Sequence, residues 1–218
     1  MFLKSSIGKK VLMALSAIFL IIFLLQHFLI NLTSVFSPSL FNTLSHFMGT
    51  NPLVQFGLQP VLIFGVIFHF IMGFILEIQN RRATKNQYSS YAGSANSSWS
   101  SRNMIWSGLV ILAFLILHFV DFWVPEISYK YIENNPSITD RYHDELVHKF
   151  ENPIRVILYC ISFTLLAIHL NHGFISSFKS LGANKKYAKV LKTTGLLFSV
   201  FIPIGFCFIS IFHYINSL

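Results

Sequence analysis

The chain contains very few charged residues. Only 11% of its 218 residues are Asp, Glu, Lys or Arg, whereas about a quarter would be charged in a typical soluble domain. Acidic residues are the scarcest, with eight Asp and Glu in total. This composition excludes a water-soluble globular protein, and the 16% of aromatic residues excludes a disordered chain.

Cysteine and the common catalytic motifs are also scarce. The two cysteines, Cys160 and Cys207, both lie inside apolar runs and form no Cys-x-x-Cys pair or Cys-x-x-Cys-His haem attachment. The sequence has no glycine-rich phosphate loop, no His-Glu-x-x-His zinc motif and no Gly-x-Ser-x-Gly elbow. The polar stretches 80–101 and 125–152 are too short for a catalytic domain, so any function must lie within the membrane or in a partner.

Five long apolar runs make up most of the sequence. Each is long enough to supply the roughly 20 residues that a membrane-crossing helix needs. The runs are continuous rather than alternating, which favours helices over a barrel. The sequence therefore predicts an all-α polytopic membrane bundle with a single domain, 1–218, and five transmembrane helices at about 11–36, 55–78, 104–124, 153–178 and 190–215.

The basic residues predict the orientation of these helices. Twelve of the 16 Lys and Arg residues lie in the N-terminus, the second-to-third loop and the fourth-to-fifth connection, and four lie on the opposite side. Because basic residues accumulate on the cytoplasmic side, we expect a cytoplasmic N-terminus and a C-terminus outside. The net charge of +8 is explained by this bias, and we expect no binding to nucleic acid.

Histidines are the most unusual feature of the apolar runs. An ionisable residue in a bilayer is costly and usually faces the bundle interior, yet six of the nine histidines lie within the predicted spans: His27, His69, His118, His169, His172 and His213. Counted from the nearest basic residue, His27 and His118 lie roughly 24–25 Å from the cytoplasmic boundary. His69 and His169 lie roughly 15–18 Å from it.

Two histidine pairs at two depths suit the axial ligation of two b-type haems. We name His27 and His118 the first pair and His69 and His169 the second pair. Low-spin haem iron takes one neutral imidazole nitrogen on each face, and glycines one turn from His69 and His169 would let a flat cofactor approach. His172 remains a rival for His169, and simple helix–helix hydrogen bonds remain an alternative for each histidine. His213 is interpreted as a packing residue, and His46, His143 and His148 are expected to be solvated.

The chain resembles the five-helix, dihaem cytochrome b membrane-anchor subunits of succinate dehydrogenase and fumarate reductase over nearly its whole length. Segments from all of the first four runs contribute to the resemblance. They are Leu25-Gln26-His27 with Asn31, the stretch from Phe41 to Met48 closing at Pro52, Ile67-Phe68-His69 with Gly73, Leu117-His118, and Ile168-His169 with Gly173 and Phe178. One departure is Ala167, since some fumarate reductase members carry a glutamate two residues before the fourth-helix ligand.

The resemblance implies a function and a set of partners. In that family, the histidines corresponding to His27 and His118 bind the haem distal to the cytoplasm, and those corresponding to His69 and His169 bind the proximal haem. It implies electron transfer from a flavoprotein and an iron–sulfur subunit, docked on the cytoplasmic face, to a quinone such as menaquinone near the outer side of the bacterial cytoplasmic membrane. The chain would have no succinate site of its own, and its quinone pocket, for which His46 and Asp121 are candidates, is not defined by the sequence.

Three other readings remain open at this point. The same complex could run in reverse as a fumarate reductase, although Ala167 favours succinate oxidation. The chain could be a small transporter with a histidine proton relay, but it shows no inverted repeat and no span broken by paired Gly and Pro. It could also be a haem-free anchor, which would leave four buried histidines without a role.

Overall fold

A computed structural model describes residues 5–83, 103–133 and 139–218. Lys4, Lys85 and Arg102, which contribute to the predicted charge bias, lie outside the described residues. All elements within the described ranges are helical: α1 (Ser6–Phe36), α2 (Pro38–Thr50), α3 (Gln59–Ala83), α4 (Met104–His118), α5 (Val124–Tyr131), α6 (Tyr142–Phe150), α7 (Pro153–Ser180) and α8 (Ala188–Asn216).

Five helical segments are long and apolar enough to cross a membrane: Ser6–Phe36, Val54–Arg82, Met104–Tyr131, Pro153–Ser180 and Ala188–Asn216. The predicted all-α bundle with five membrane-spanning helices is confirmed. The third segment is longer than predicted, because a π-helical turn at Phe119–Trp123 joins α4 to α5 without a break. A second π-helical turn, Val54–Leu58, leads into α3.

Local sequence signals explain where several helices begin and end. The Ser37 side chain accepts a hydrogen bond from Leu40 N at the start of α2, and Asn152 accepts from Ile154 N and Arg155 N at the start of α7. A proline follows each cap at the first helical position, where its missing N–H costs nothing. Helix α7 ends at Ser180, and Gly182, two residues beyond, has a φ of 86° that is readily adopted by glycine alone.

The helices leave a central cavity between them. α1 packs against α3, α7 and α8, and α4 packs against α7, so that α1, α3, α4 and α7 surround the cavity. α8 packs most closely on α7 and contributes Phe206 and Ile209 to the cavity wall. Large hydrophobic side chains such as Phe64 and Trp106 point away from the bundle and are exposed, as lipid-facing residues would be.

Two short amphipathic helices cover one end of the bundle. α2 and α6 contact each other, and the buried side chains of Phe41, Leu146 and Phe150 join the main hydrophobic core. Asn42 Oδ1 accepts a hydrogen bond of 2.8 Å from His143 N. We name this end the acidic end, because it carries Glu126 and Glu145, and the opposite end, which carries Lys10 and Arg81, the basic end.

The closest helix approach in the core predicts a mutation with a large effect. A Cβ atom added to Gly205 of α8 would clash with the ring of Phe28 of α1, which is 2% exposed. We therefore expect Gly205→Ala to destabilise the fold by about 1–3 kcal/mol, since the close-packed helices cannot separate without losing contacts. The midpoint of thermal unfolding in detergent should fall by several degrees.

Gly57→Ala is the matched control. A Cβ at Gly57 would meet only Leu53 Cδ1, at an ordinary contact distance of 3.6 Å. The control should melt at or slightly above the wild-type temperature, because alanine favours helical structure more than glycine does. Equal melting temperatures for the two variants would contradict the close α1–α8 contact.

Candidate cofactor site in the central cavity

The four predicted histidines face each other in pairs across the cavity. In the first pair, the ring centres of His27 of α1 and His118 of α4 lie 5.8 Å apart and the rings are nearly perpendicular. In the second pair, the ring centres of His69 of α3 and His169 of α7 lie 6.4 Å apart. The structure therefore brings together the residues that the sequence grouped by depth.

The ring separations suit a metal ion held between two imidazoles. Metal–histidine nitrogen bonds of about 2 Å place the two nitrogens about 4 Å apart and the ring centres about 6 Å apart. Both observed separations lie close to this value. Within the described residues, no group of three or more His, Cys, Asp or Glu side chains could hold a metal ion, and each pair offers two imidazole nitrogens.

The two pairs lie at different levels of the bundle. Ser16 of α1 contacts His69, and it precedes His27 by 11 residues in the same helix. Ser107 of α4 contacts His169, and it also precedes His118 by 11 residues. With a rise of ~1.5 Å per residue, both helices give a separation of about 16 Å between the pairs.

This separation is larger than the difference in depth expected from the sequence. The expectation used Lys10, Arg102, Arg81 and Lys179 to mark the membrane boundary. Arg81 and Lys179 lie in the last turns of α3 and α7, Lys10 lies in the second turn of α1, and Arg102 lies outside the described residues. These residues need not lie at one height, so the contacts between helices measure the separation of the pairs more directly.

One cavity of about 920 Å³ contains both pairs. This is at the upper end of the range of roughly 300–1,000 Å³ for small-molecule sites. Most of its wall is apolar, and apart from the paired histidines most of its polar groups lie towards the two ends. Those at the basic end are Lys10, Glu77, Asn80, His172, Ser176 and Ser180, and those at the acidic end are Gln26, Ser45, Gln59, Glu126, Tyr142 and Glu145.

Glycines lie on the cavity wall beside the second pair. Gly73, Gly108 and Gly173 all line the cavity, and a Cβ at Gly108 would lie 3.9 Å from His169 Cε1. Gly65 behaves differently, because a Cβ there would lie 2.9 Å from the Phe19 ring of α1. Gly65 thus serves close helix packing, whereas the other glycines leave room for a flat cofactor.

His169 rather than His172 is the α7 histidine opposite His69. His172 also lines the cavity, nearer the basic end beside Ser176.

Aromatic rings surround the first pair: Phe23 stacks on His27 at 5.5 Å, and Phe114 and Phe122 lie 5.8 and 5.2 Å from His118. These rings keep that part of the cavity apolar.

A buried ion pair lies one helical turn beyond His118. The Asp121 carboxylate is 3% exposed, pairs with the Arg155 guanidinium and accepts a hydrogen bond of 2.7 Å from the Tyr159 hydroxyl. The Tyr159 ring centre lies 6.4 Å from that of His118. The charge of Asp121 is therefore compensated by Arg155, which makes Asp121 a poorer candidate for a quinone-binding residue.

A second charged cluster closes the acidic end. Glu126 pairs with Lys130 and Arg141, and Tyr142 Oη donates to Glu126 Oε1 at 3.2 Å. Burial opposes the charge of Arg141, but its hydrogen bonds to Glu145 and Glu126 raise its pKa above the ordinary value. Burial and the charge of Glu126 raise the pKa of Tyr142 to about 12.

Two of the three histidines expected to be solvated loop residues differ from that expectation. The third, His148, is exposed as expected, with 79% of its side chain accessible. His46 lies in α2 with a buried Nδ1, and His143 packs against His213 with ring centres 5.4 Å apart. The solvated interpretation is therefore wrong for His46 and His143, because helices α2 and α6 fold back over the bundle.

Sequence reasoning missed the two serines that contact the second pair. Ser16 Oγ lies 3.1 Å from His69 Nδ1, and Ser107 Oγ lies 3.2 Å from His169 Nδ1. A signal for them was present in the sequence. The pattern Met-x2-Ser-x10-His occurs in α1, as Met13, Ser16 and His27, and again in α4, as Met104, Ser107 and His118.

Comparisons of the chain with models of protein families, with curated proteins and with solved structures gave no match. The assignment of a function therefore rests on the residues and the geometry described above.

The Asp121–Arg155 pair predicts a measurable coupling. Asp121→Asn should lower the midpoint of thermal unfolding in detergent, because it leaves the Arg155 guanidinium partly buried without its counter-charge. In the double variant Asp121→Asn/Arg155→Gln, much of this loss should be recovered. We expect a coupling energy on the order of 1–3 kcal/mol from the four proteins of this cycle.

Tyr159→Phe is the control for the hydrogen bond alone. It removes the donor to Asp121 and leaves the ion pair in place, so its effect should be about 1 kcal/mol. If the single and double variants lost stability additively, the ion pair would contribute nothing to the fold.

Proposed function

We propose that this chain is the dihaem cytochrome b anchor of a succinate dehydrogenase complex in the bacterial cytoplasmic membrane. In this role it passes electrons from an iron–sulfur subunit to a quinone. The observation that carries the proposal is the arrangement of two facing histidine pairs, about 16 Å apart, in one largely apolar cavity. Four imidazoles on the wall of this cavity, at matched positions on four helices, are costly in a membrane unless they serve a function.

The residues that would hold the two haems follow from the pairs. His27 and His118 would be the axial ligands of one haem, and His69 and His169 those of the other. When bound, the haems would supply one-electron redox chemistry between the two ends of the cavity. The chain itself contributes neutral imidazole ligands, room beside Gly73 and Gly173, and aromatic rings that exclude water around the first pair.

The distribution of basic residues supports an assignment of the partners to one end of the bundle. We assign the basic end to the cytoplasmic side, because basic residues are retained there during membrane insertion. The iron–sulfur subunit, with the flavoprotein that oxidises succinate, would dock at this end, near the second histidine pair. The second pair would then bind the first haem to receive electrons.

The acidic end supplies the polar groups that a quinone headgroup needs. Ser45, Glu126 and Tyr142 line this part of the cavity, whereas His46 and Asp121 are not among its lining residues. The Tyr142 hydroxyl donates to Glu126 Oε1 in this structure, so it would have to turn away from Glu126 to donate a hydrogen bond to a quinone oxygen. Menaquinone, a low-potential quinone, fits the dihaem type that the chain resembles.

Succinate oxidation is favoured over fumarate reduction by one position. Ala167, two residues before His169, cannot take part in the proton movement that a glutamate supports in some fumarate reductases. The direction of the reaction is tested separately from the haem content, by comparing succinate-driven and fumarate-driven turnover of the assembled complex.

Haem content tests the ligand assignment. Purified full-length protein should contain two non-covalent b-type haems per chain, seen in the dithionite-reduced minus oxidised spectrum. His69→Ala or His169→Ala should remove one haem and spare the other, since each variant breaks one pair. His27→Ala or His118→Ala should remove the haem that the first two variants retain.

His172→Ala is the matched control on α7. It removes a cavity-lining histidine three residues from His169, and both haems should remain. Loss of the second-pair haem in this variant would make His172 the ligand. Wild-type protein without haem, in an assembled complex, would leave only a plain anchor or a proton relay.

The coupling to quinone is tested in membranes. In cells that lack this chain, succinate oxidation should no longer reduce membrane quinone, because the electron path into the bilayer is missing. Restoring the wild-type chain or His172→Ala should restore quinone reduction, whereas His27→Ala should not. Continued quinone reduction without the chain would refute the proposed coupling.

A further inference from the structure

Each histidine of the second pair contacts a serine on a neighbouring helix. Ser16 of α1 reaches His69 of α3, and Ser107 of α4 reaches His169 of α7, both through the Nδ1 atom of the ring. Ser107 is 5% exposed and Ser16 is half-buried. These contacts link helices that are distant in sequence, so they are not a by-product of local helix geometry.

The backbone carbonyls favour one direction for these hydrogen bonds. Ser16 Oγ is placed to donate to Met13 O at 2.8 Å, and Ser107 Oγ to Met104 O at 2.9 Å. A serine hydroxyl has a single proton. When that proton is on the carbonyl, the serine oxygen accepts from the imidazole, and this arrangement needs the ring proton on Nδ1 and the lone pair on Nε2.

The first pair lacks this arrangement. His118 Nδ1 is buried and has no hydrogen-bond partner within the described ranges. The Asn31 amide nitrogen lies 3.5 Å from both ring nitrogens of His27 and donates a shorter bond of 2.8 Å to His27 O. Among the four paired histidines, a close serine contact is a property of the second pair.

A third serine–histidine contact shows that the tautomer depends on which nitrogen is engaged. Ser34 Oγ donates to Asn31 O at 2.6 Å and lies 2.9 Å from His213 Nε2. The same argument places the ring proton of His213 on Nε2. At the second pair the serines contact Nδ1 instead, which leaves Nε2, the ring nitrogen farther from the backbone, available to coordinate.

We infer that Ser16 and Ser107 are positioning residues for the second histidine pair. Each holds its imidazole as the Nδ1–H tautomer with Nε2 available for a metal, and each makes the ligand more basic by accepting its remaining proton. A more basic ligand stabilises the ferric state of a haem, so the serines lower the reduction potential at the second pair. This consequence for haem rests on the proposed function, but the tautomer does not.

The tautomer can be measured without haem. We would label the histidines of the full-length chain with ¹⁵N and record the ring nitrogen resonances in detergent before haem is added, because protonated and unprotonated imidazole nitrogens resonate far apart. The signals of His69 and His169 should show protonated Nδ1. Ser16→Ala should shift the His69 signals, and Ser107→Ala those of His169.

Ser199→Ala is the matched control. Ser199 is 1% exposed and donates to Leu196 O at 3.0 Å, so it has the same burial and the same backbone bond as Ser107. It should leave all histidine signals in place. Protonated Nε2 at His69 and His169 in the wild type, or unchanged signals in both serine variants, would overturn the inference whether or not haem binds.

Haem-loaded protein gives a second readout. A redox titration of Ser107→Ala should show a higher midpoint potential for one haem and an unchanged value for the other, and the affected haem should be bound about 10-fold or more weakly. Ser107→Thr, which keeps an accepting oxygen, should restore both properties. Two haems with wild-type potentials and affinity in Ser107→Ala would overturn the tuning role, whereas a wild-type chain without haem would overturn the proposed function alone.

Discussion

Hydrogen bonds between histidines and serines of different helices hold much of the bundle together, and inside a membrane no water is present to replace them. Three histidines make such a contact, and each serine also donates to a backbone carbonyl of its own helix. The three contacts join α1 to α3, α4 to α7 and α1 to α8. The positions of the helices and the chemistry of the histidines are therefore determined by the same hydrogen bonds.

The arrangement of serine, histidine and glycine in the first two long helices is repeated in the next two. α1 and α3 carry serine, histidine and glycine at the same relative positions as α4 and α7, with Ser16, His69 and Gly73 matching Ser107, His169 and Gly173. In both halves the serine belongs to the earlier helix of the two and the histidine to the later one. Such a parallel repeat explains why each histidine pair draws one residue from each half.

Much of the fold and the identity of the four paired histidines could be predicted from the sequence. Long apolar runs give the spans almost directly, since few residues other than hydrophobic ones are tolerated in a bilayer. The role of Ser16 and Ser107 could not be predicted, because serine is common in membrane helices and its partner depends on how the helices rotate. Likewise, the stretch that forms α6 has too few apolar residues to suggest that Leu146 and Phe150 are buried.

The π-helical turn after His118 determines which way the side chains of α5 face. A π-helical turn contains one more residue than an α-helical turn, so α5 is rotated by about 100° relative to an uninterrupted helix. With this rotation Glu126 of α5 pairs with Arg141 at the start of α6. A chain shorter by one residue in Phe119–Trp123 would lose the extra rotation, and Glu126 would be turned by about 100° away from Arg141. The number of residues in this turn therefore determines whether the acidic end can close.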